Sequence, residues 1–125
     1  MSKPLVFEGQ TVFCDIDDTL VSWERYNQGQ YEEGMIGFVD PDDGKTYYLD
    51  VIHENVEAIR RHKLRGHIIV LWSQGGAEWC HEVAKKLNLE NTVDLYIRKP
   101  VWYYDDLPAG EFMPESIRKH NRLKK

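Results

Sequence analysis

The chain has 125 residues, of which 42% are hydrophobic and 30% charged, and we expect one globular domain over residues 1 to 125. Its formal net charge of −5 argues against a general nucleic-acid binder or a protein that adheres to anionic membranes. No apolar run approaches the roughly 20 residues of a membrane span and the N-terminus lacks the apolar stretch of a secretory signal, so we expect a cytoplasmic protein without a membrane partner.

The first predicted element is a strand at residues 11 to 14, TVFC, which lacks the polar alternation of a half-exposed strand. We therefore expect a central parallel strand. Residues 22 to 50 are rich in Gly, Tyr and acidic residues and predict a small flap insertion after this strand. Within the flap, FVDPDDGKTYY predicts a two-stranded hairpin that turns at Asp43 and Gly44.

The side chains of the flap allow more than one interpretation. We interpret six aromatic residues as a satellite cluster that anchors the hairpin, in preference to substrate stacking: Trp23, Tyr26, Tyr31, Phe38, Tyr47 and Tyr48. A calcium loop is the competing interpretation of the flap carboxylates Asp40, Asp42, Asp43 and Asp50. The EF-hand pattern, however, needs its glycine one position later and a closing glutamate.

The next elements form a β-α-β unit with the first strand. Helical spacing of apolar residues predicts a helix over residues 51 to 65, with Asp50 as its N-cap and Gly66 as its stop. The run HIIVLW at residues 67 to 72 predicts a second central parallel strand. A second helix follows, whose apolar face comprises Ala77, Cys80, Val83, Ala84 and Leu87.

The last predicted elements are a third strand at residues 93 to 97, VDLYI, and a C-terminal helix that begins near Pro114. The order of strands and helices predicts an α/β fold.

Three carboxylates directly follow the first strand: Asp15, Asp17 and Asp18. In a doubly wound parallel sheet, ligands bind beyond the carboxyl ends of the strands, so we expect Asp15 and Asp17 at the mouth of such a crevice. Two close carboxylates repel, and a bound Mg²⁺ relieves that repulsion with the oxygen ligands it prefers. The alternative, a helix N-cap with solvated loop carboxylates, accounts for one aspartate more easily than for three.

Residues that suit an anionic substrate follow the other two strands. Ser73 ends the second strand, and with Gln74 and Gly75 it opens a helix whose N-terminal N–H groups suit phosphate oxygens. The alternative interpretation is that a serine followed by two glycines is a common connection between a strand and a helix. Lys99 follows the third strand and is a candidate for neutralising an anion, although a lone lysine is usually solvated surface.

A second acidic pair, Asp105 and Asp106, follows the β-rich run VWYY. Only five residues separate Lys99 from Asp105. This is too few for a further parallel strand, because the crossover between two parallel strands needs about a dozen residues. Either residues 93 to 97 form a short edge segment, or residues 100 to 104 arch over the crevice.

The motifs FCDIDDTL, IIVLWSQ, RKP and YYDDLP, taken in this order over about residues 11 to 107, resemble those of the haloacid dehalogenase-like superfamily of phosphotransferases. The resemblance implies a three-layer Rossmann-like parallel sheet and a small capless Mg²⁺-dependent phosphatase that forms an aspartyl-phosphate. It implies that Asp15 is the nucleophile and Asp17 the general acid/base. It also implies that Ser73 binds phosphate and that the Lys99 ammonium neutralises its charge. It also implies Mg²⁺ ligands among Asp15, Asp17, Asp105 and Asp106, and it gives Asp18 no chemical role.

The small flap predicts an open site. Such a site fits a phosphorylated macromolecule, including a nucleic-acid end, or a small molecule enclosed by a partner subunit of a homo-oligomer. We interpret the basic stretches at residues 60 to 67 and 118 to 125 as helix C-terminal charges rather than as a nucleic-acid track.

The cysteines and histidines do not have the sequence spacing of metal ligands. Cys14 and Cys80 lack metal-ligand spacing and are expected to be reduced packing residues. The same lack of spacing applies to His53, His62, His67, His81 and His120.

Two functions of other classes remain open. A phospho-accepting regulatory module uses similar acidic, hydroxyl and lysine residues, but receiver domains place their acidic pair before the phosphorylated aspartate. A catalytically silent binding module is disfavoured by the presence of both Asp15 and Asp17.

Overall fold

A computed structural model describes residues 3 to 117 of the chain. In chain order its elements are β1 (Thr11–Cys14), β2 (Val21–Ser22), α1 (Glu24–Asn27), β3 (Ile36–Val39), β4 (Thr46–Val51), α2 (His53–Leu64), β5 (Ile68–Ser73), α3 (Ala77–Lys86), β6 (Leu95–Arg98) and α4 (Ala109–Phe112).

The fold is mixed α/β, with one parallel and one antiparallel sheet of three strands each. The parallel sheet has the order β1-β5-β6, and its register pairs Cys14 with Leu71 and Ser73 with Arg98. The three predicted parallel strands are confirmed: β1 has the predicted bounds, and the ends of β5 and β6 are shifted by one or two residues. All three strands have their carboxyl ends at the same edge of the sheet, which is the edge where ligands bind in α/β folds.

The prediction that β1 is a central strand is wrong for the part of the chain that the structure describes. β5 is the central strand and β1 lies at the edge. Phe13 is 44% exposed and packs edge-to-face on Trp72, with 4.6 Å between the ring centroids. The apolar run was therefore a poor guide to burial, because only Cys14 of β1 is buried.

Both long helices pack on the same face of the parallel sheet. The crossovers from β1 to β5 and from β5 to β6 advance in one direction, and right-handed connections then place both helices on one side. Apolar residues of both helices share one core cluster with Ile69 and Leu71 of β5. Within residues 3 to 117 the parallel sheet thus has one helical layer, and a three-layer arrangement is not seen there.

The predicted helix over residues 51 to 65 is confirmed with a later start, at His53. Asp50 is not its N-cap, because this residue lies in β4 and its carboxylate accepts a 2.9 Å hydrogen bond from Arg25 Nε. Ile52 takes the N-cap position without a side-chain cap. Gly66 follows the helix with a φ of 85°, as expected for a stop residue.

The predicted C-terminal helix near Pro114 is not formed at residues 114 to 117, and its remainder lies outside the described residues. The structure instead has a short helix at Ala109–Phe112.

The flap forms the antiparallel sheet β2-β4-β3, and the predicted hairpin around Gly44 is confirmed as β3 and β4. It is attached to the core through α3, since the Val39 N–H donates to the Glu82 carboxylate at 3.0 Å. Phe38, fully buried, packs on Trp79 with 6.2 Å between the ring centroids. The flap is therefore a packed part of the fold.

The flap aromatics fall into three groups. Trp23, Tyr26 and Tyr47 form the expected cluster, with ring centroids 5.3 to 5.4 Å apart. Phe38 belongs to the main core, while Tyr31 and Tyr48 form a separate, largely exposed pair.

No helix among residues 3 to 117 has both the length and the apolarity that crossing a lipid bilayer requires.

Candidate active site

The carboxyl ends of the three parallel strands bring together Asp15, Ser73 and Lys99. Asp15 directly follows β1, Ser73 is the last residue of β5, and Lys99 directly follows β6. The Lys99 ammonium lies 3.2 Å from Asp15 Oδ1, and the Lys99 backbone N–H donates to the Ser73 carbonyl at 3.0 Å. Both charged side chains remain about one-third exposed, at 31% and 33%, so a ligand can reach them.

Asp17 lies beside this pair and is held by three donors. The indole N–H groups of Trp23 and Trp79 donate to its Oδ1 at 2.8 and 3.1 Å. The Ser73 hydroxyl lies 3.4 Å from its Oδ2. Asp15, Asp17, Ser73 and Lys99, predicted from separate motifs, are thus neighbours in space.

The loop after β1 owes its shape to the apolar residue between the two aspartates. Ile16 is fully buried in the core, and its carbonyl accepts hydrogen bonds from Leu20 and Val21 at 2.9 and 3.2 Å. Anchoring Ile16 inward leaves the flanking Asp15 and Asp17 partly exposed at the sheet edge.

Two further polar residues, Asp18 in the loop and Asn55 in α2, hold the loop in place. Asp18 adopts a φ of 61°, a left-handed conformation that aspartate tolerates, and its Oδ1 accepts the Trp23 backbone N–H at 3.1 Å. Buried Asn55 donates to the Thr19 carbonyl at 2.8 Å, which ties the loop to α2. Asp18 therefore has a structural task, which the sequence motifs did not indicate.

The turn between β5 and α3 places polar groups around Ser73. Ser73 Oγ accepts the Gly75 N–H at 2.9 Å, and a Cβ on Gly75 would lie 3.3 Å from that oxygen. Gly76 precedes α3 with a φ of 106°, and no side chain caps the helix. Gln74 is exposed, and its carbonyl accepts a 2.7 Å hydrogen bond from Arg98 Nη1. The first N–H groups of α3 therefore open beside Ser73 and Gly75.

The second acidic pair is not part of this group in the described residues. Asp105 and Asp106 are exposed in an irregular segment, and Asp105 accepts the Leu107 N–H at 2.9 Å. Residues 100 to 104 form no strand, and Tyr104 is fully exposed. The β-rich composition of VWYY is therefore not matched by a strand, and β6 is a short edge strand, which is one of the two alternatives above.

No three His, Cys, Asp or Glu side chains converge on a metal position among residues 3 to 117. The donor chemistry at Asp15 and Asp17 still fits Mg²⁺, which binds through one or two carboxylates together with waters and substrate phosphate oxygens. The predicted contribution of Asp105 or Asp106 has no geometric support in the described structure. The four carboxylates of the competing calcium interpretation also fail to converge.

The two cysteines are free, buried neighbours of the site. Burial, with a further contribution from nearby carboxylates, raises the pKa of Cys14 and of Cys80 to about 12. Both therefore stay protonated at neutral pH and cannot act as thiolate nucleophiles. Their predicted packing role is confirmed, since both belong to the hydrophobic core.

A cleft of about 360 Å³ leads to the site between the flap and α3, lined by Asp17, Trp23, Asp40, Asp42, Gly75 and Trp79. A second depression, of about 480 Å³, lies around Arg25, Asp50 and His53 and contains none of the predicted catalytic residues. Of the predicted catalytic residues only Asp17 lines the smaller cleft, which therefore lies beside the candidate active site.

Sequence reasoning missed three residues beside the candidate site: Trp23 and Trp79, which bind Asp17, and Arg98, which binds the turn after Ser73. Trp79 precedes Val83 by four positions, so helical periodicity could have placed it on the buried face of α3. The sequence predicts a packing role for Trp23, and nothing in it distinguishes Arg98 from a surface arginine.

Comparisons of the chain with protein-family models, with curated proteins and with solved structures found no match.

Proposed function

We propose that the protein is a phosphatase that hydrolyses a phosphate monoester through an aspartyl-phosphate on Asp15. The observation that carries the proposal is the convergence of a carboxylate, an ammonium and a second carboxylate at the carboxyl ends of the parallel strands, with Asp15 3.2 Å from Lys99 and Asp17 beside Ser73. This combination supplies a nucleophile, a positive charge and a proton carrier, which phosphoryl transfer needs together.

In the first step a carboxylate oxygen of Asp15 attacks phosphorus, and the bond to the leaving oxygen breaks. Asp17, protonated at this stage, donates its proton to that oxygen, so the leaving group departs as an alcohol. Lys99, Ser73 and the first N–H groups of α3 stabilise the negative charge on the phosphoryl oxygens.

In the second step water attacks the aspartyl-phosphate, and Asp17 accepts a proton from this water. The bond between phosphorus and the Asp15 oxygen breaks, which releases inorganic phosphate and restores both carboxyl groups to their starting states. Mg²⁺, when bound near Asp15 and Asp17, supplies further positive charge to the phosphoryl group. Asp105 and Asp106 remain predicted ligands that would have to approach the site.

We also propose the three-layer Rossmann-like sheet that the superfamily resemblance implies, and a cytoplasmic location, as expected from the lack of a long apolar run and of a secretory stretch. Among substrates we favour a small phosphorylated molecule over a nucleic-acid end. Asp40 and Asp42 line the cleft, and their negative charges oppose the entry of a polyanionic strand.

The test is phosphate release from a panel of phosphate monoesters, including sugar phosphates and 3′-phosphorylated oligonucleotides, with and without Mg²⁺. We expect Mg²⁺-dependent release that Asp15→Asn abolishes. Glu8→Gln is the matched control, because exposed Glu8 precedes the opposite end of β1. No release from any ester would contradict the proposal, and a long-lived aspartyl-phosphate without release would support the regulatory alternative.

A further inference from the structure

Two indole groups from separate parts of the chain bind one oxygen of the Asp17 carboxylate. Trp23, in the flap, donates to Oδ1 at 2.8 Å, and Trp79, in α3, donates to the same atom at 3.1 Å. The indole N–H is a donor only, so both contacts are directed toward the carboxylate. Neither residue belongs to the motifs that suggested the catalytic group.

Both indoles are themselves held in place. Trp79 is only 5% exposed and packs on the buried ring of Phe38. The backbone N–H of Trp23 is bound by Asp18, and its ring packs on Tyr47 with 5.3 Å between the centroids. A side chain locked by packing is a precise hydrogen-bond donor, because it loses little further freedom when it binds.

The two oxygens of Asp17 consequently have different surroundings. Oδ1 accepts both indole N–H groups, whereas Oδ2 has only the 3.4 Å contact with the Ser73 hydroxyl. The two indole hydrogen bonds also restrict rotation of the Asp17 carboxyl group about its Cβ–Cγ bond. Oδ2 is therefore the oxygen left for proton transfer, on the side of the proposed phosphate ligand.

We propose that Trp23 and Trp79 are positioning residues that aim Oδ2 of Asp17 at the leaving-group oxygen of the substrate. This inference rests on the proposed phosphatase function. It also gives the flap a catalytic purpose, because the flap supplies one of the two donors that orient the general acid.

The activity test compares substrates with different leaving groups. A general acid matters most when the leaving group is a poor one, such as an alkoxide, and least when it is a stabilised aryloxide. We expect Trp23→Phe and Trp79→Phe to lower kcat/KM for an alkyl phosphate by about 10- to 100-fold. For p-nitrophenyl phosphate we expect a loss of less than about threefold.

Trp102→Phe is the matched control, because Trp102 is 82% exposed and should tolerate the change with both substrates. Trp23, which is only partly buried, also provides a variant that should fold if Trp79→Phe does not. A merely structural role would lower kcat/KM equally for both leaving groups, and that result would overturn the inference while leaving the phosphatase proposal intact.

The contact itself can be measured without turnover. In ¹H–¹⁵N spectra the chain gives indole signals from its four tryptophans, assigned through the Trp→Phe variants. We expect Asp17→Asn to move the Trp23 and Trp79 signals upfield and to leave that of Trp102 unchanged. Unmoved Trp23 and Trp79 signals would overturn the inference, whereas moved signals in a protein that hydrolyses no ester would overturn the proposed function, and with it the catalytic purpose of the contact.

Discussion

Lys99 illustrates how one residue can carry much of the activity and little of the stability. Its ammonium lies 3.2 Å from Asp15, but both side chains are about one-third exposed, and exposed ion pairs contribute about 1 kcal/mol or less to the free energy of unfolding. Its charge should matter more when a phosphoryl group carries developing negative charge beside it.

We therefore expect Lys99→Ala to lower kcat by about 100-fold while changing the free energy of unfolding by less than about 1 kcal/mol. Steady-state kinetics and urea unfolding measure the two quantities. Lys86→Ala, at an exposed position at the end of α3, is the control and should change neither. An active Lys99→Ala variant would remove this residue from the proposed site.

The sequence predicted some residues of the site better than others. Asp15, Asp17, Ser73 and Lys99 each follow or end a strand, so finding the strands was enough to bring them together. The donors to Asp17 depend on how the flap and α3 pack, and no local pattern encodes such a contact. Asp50 was misread because its partner, Arg25, lies 25 positions away.

At the scale of elements, Asp94 ties α2 to the parallel sheet. Its carboxylate accepts hydrogen bonds from the Lys63 ammonium of α2 at 2.8 and 2.9 Å, and from the Ile69 backbone N–H of β5 at 2.8 Å. Burial acts to raise the pKa of Asp94, but these hydrogen bonds outweigh it and hold the pKa below its usual value. The ionised form is thus favoured by folding.

A carboxyl group with a lowered pKa in the folded state stabilises the fold above its unfolded pKa of about 3.9 and loses that contribution as the pH falls through the folded value. We expect Asp94→Asn to lower the free energy of unfolding by about 1 to 2 kcal/mol at neutral pH. The difference from the wild type should shrink below about pH 4. Urea unfolding across this pH range measures it, with Asp42→Asn as an exposed control, and a pH-independent difference would contradict the account.

Elements were predicted correctly where a helical pattern of apolar residues continues over several turns. The helices at His53–Leu64 and Ala77–Lys86 span about three turns each, so periodicity found them. The predicted start of the first one was wrong because it relied on a cap at Asp50 that the structure does not use. VWYY has strand composition but no partner strand among the described residues. Composition alone therefore could not settle whether that segment pairs.

At the scale of the whole molecule, the core lies on one face of the parallel sheet. Cys14 and Cys80 belong to that core, with exposed fractions of 6% and 0%, and burial raises the pKa of each thiol to about 12. Their reactivity thus reports on opening of the entire fold.

We expect iodoacetamide to leave both cysteines unmodified in the native protein at about pH 8, because neither is exposed or ionised there. Both should react once urea unfolds the chain. Mass spectrometry after timed labelling counts the modified thiols, and rapid labelling of either cysteine without denaturant would contradict the packing described for this core.

The overall architecture could be predicted only in part. The alternation of strands and helices gave the α/β class, but the position of β1 at the edge and the single helical layer depend on which further segments pack on the sheet. Phe13, 44% exposed beside Trp72, shows that an apolar strand need not be covered on both faces in the described chain.

Covalent catalysis by Asp15 can be tested by locating the phosphoryl group on the protein during turnover. The reaction of p-nitrophenyl phosphate would be quenched in acid within milliseconds. Borohydride would then reduce the acyl phosphate to an alcohol with loss of phosphate, so that mass spectrometry identifies the modified aspartate as homoserine. We expect the reduced product at Asp15, and none in Asp15→Asn. Asp17→Asn should give more of it, because this substrate needs little acid catalysis in the first step while the second step is slowed. Turnover without protein-bound phosphate, or phosphate found on Ser73 instead, would contradict this mechanism.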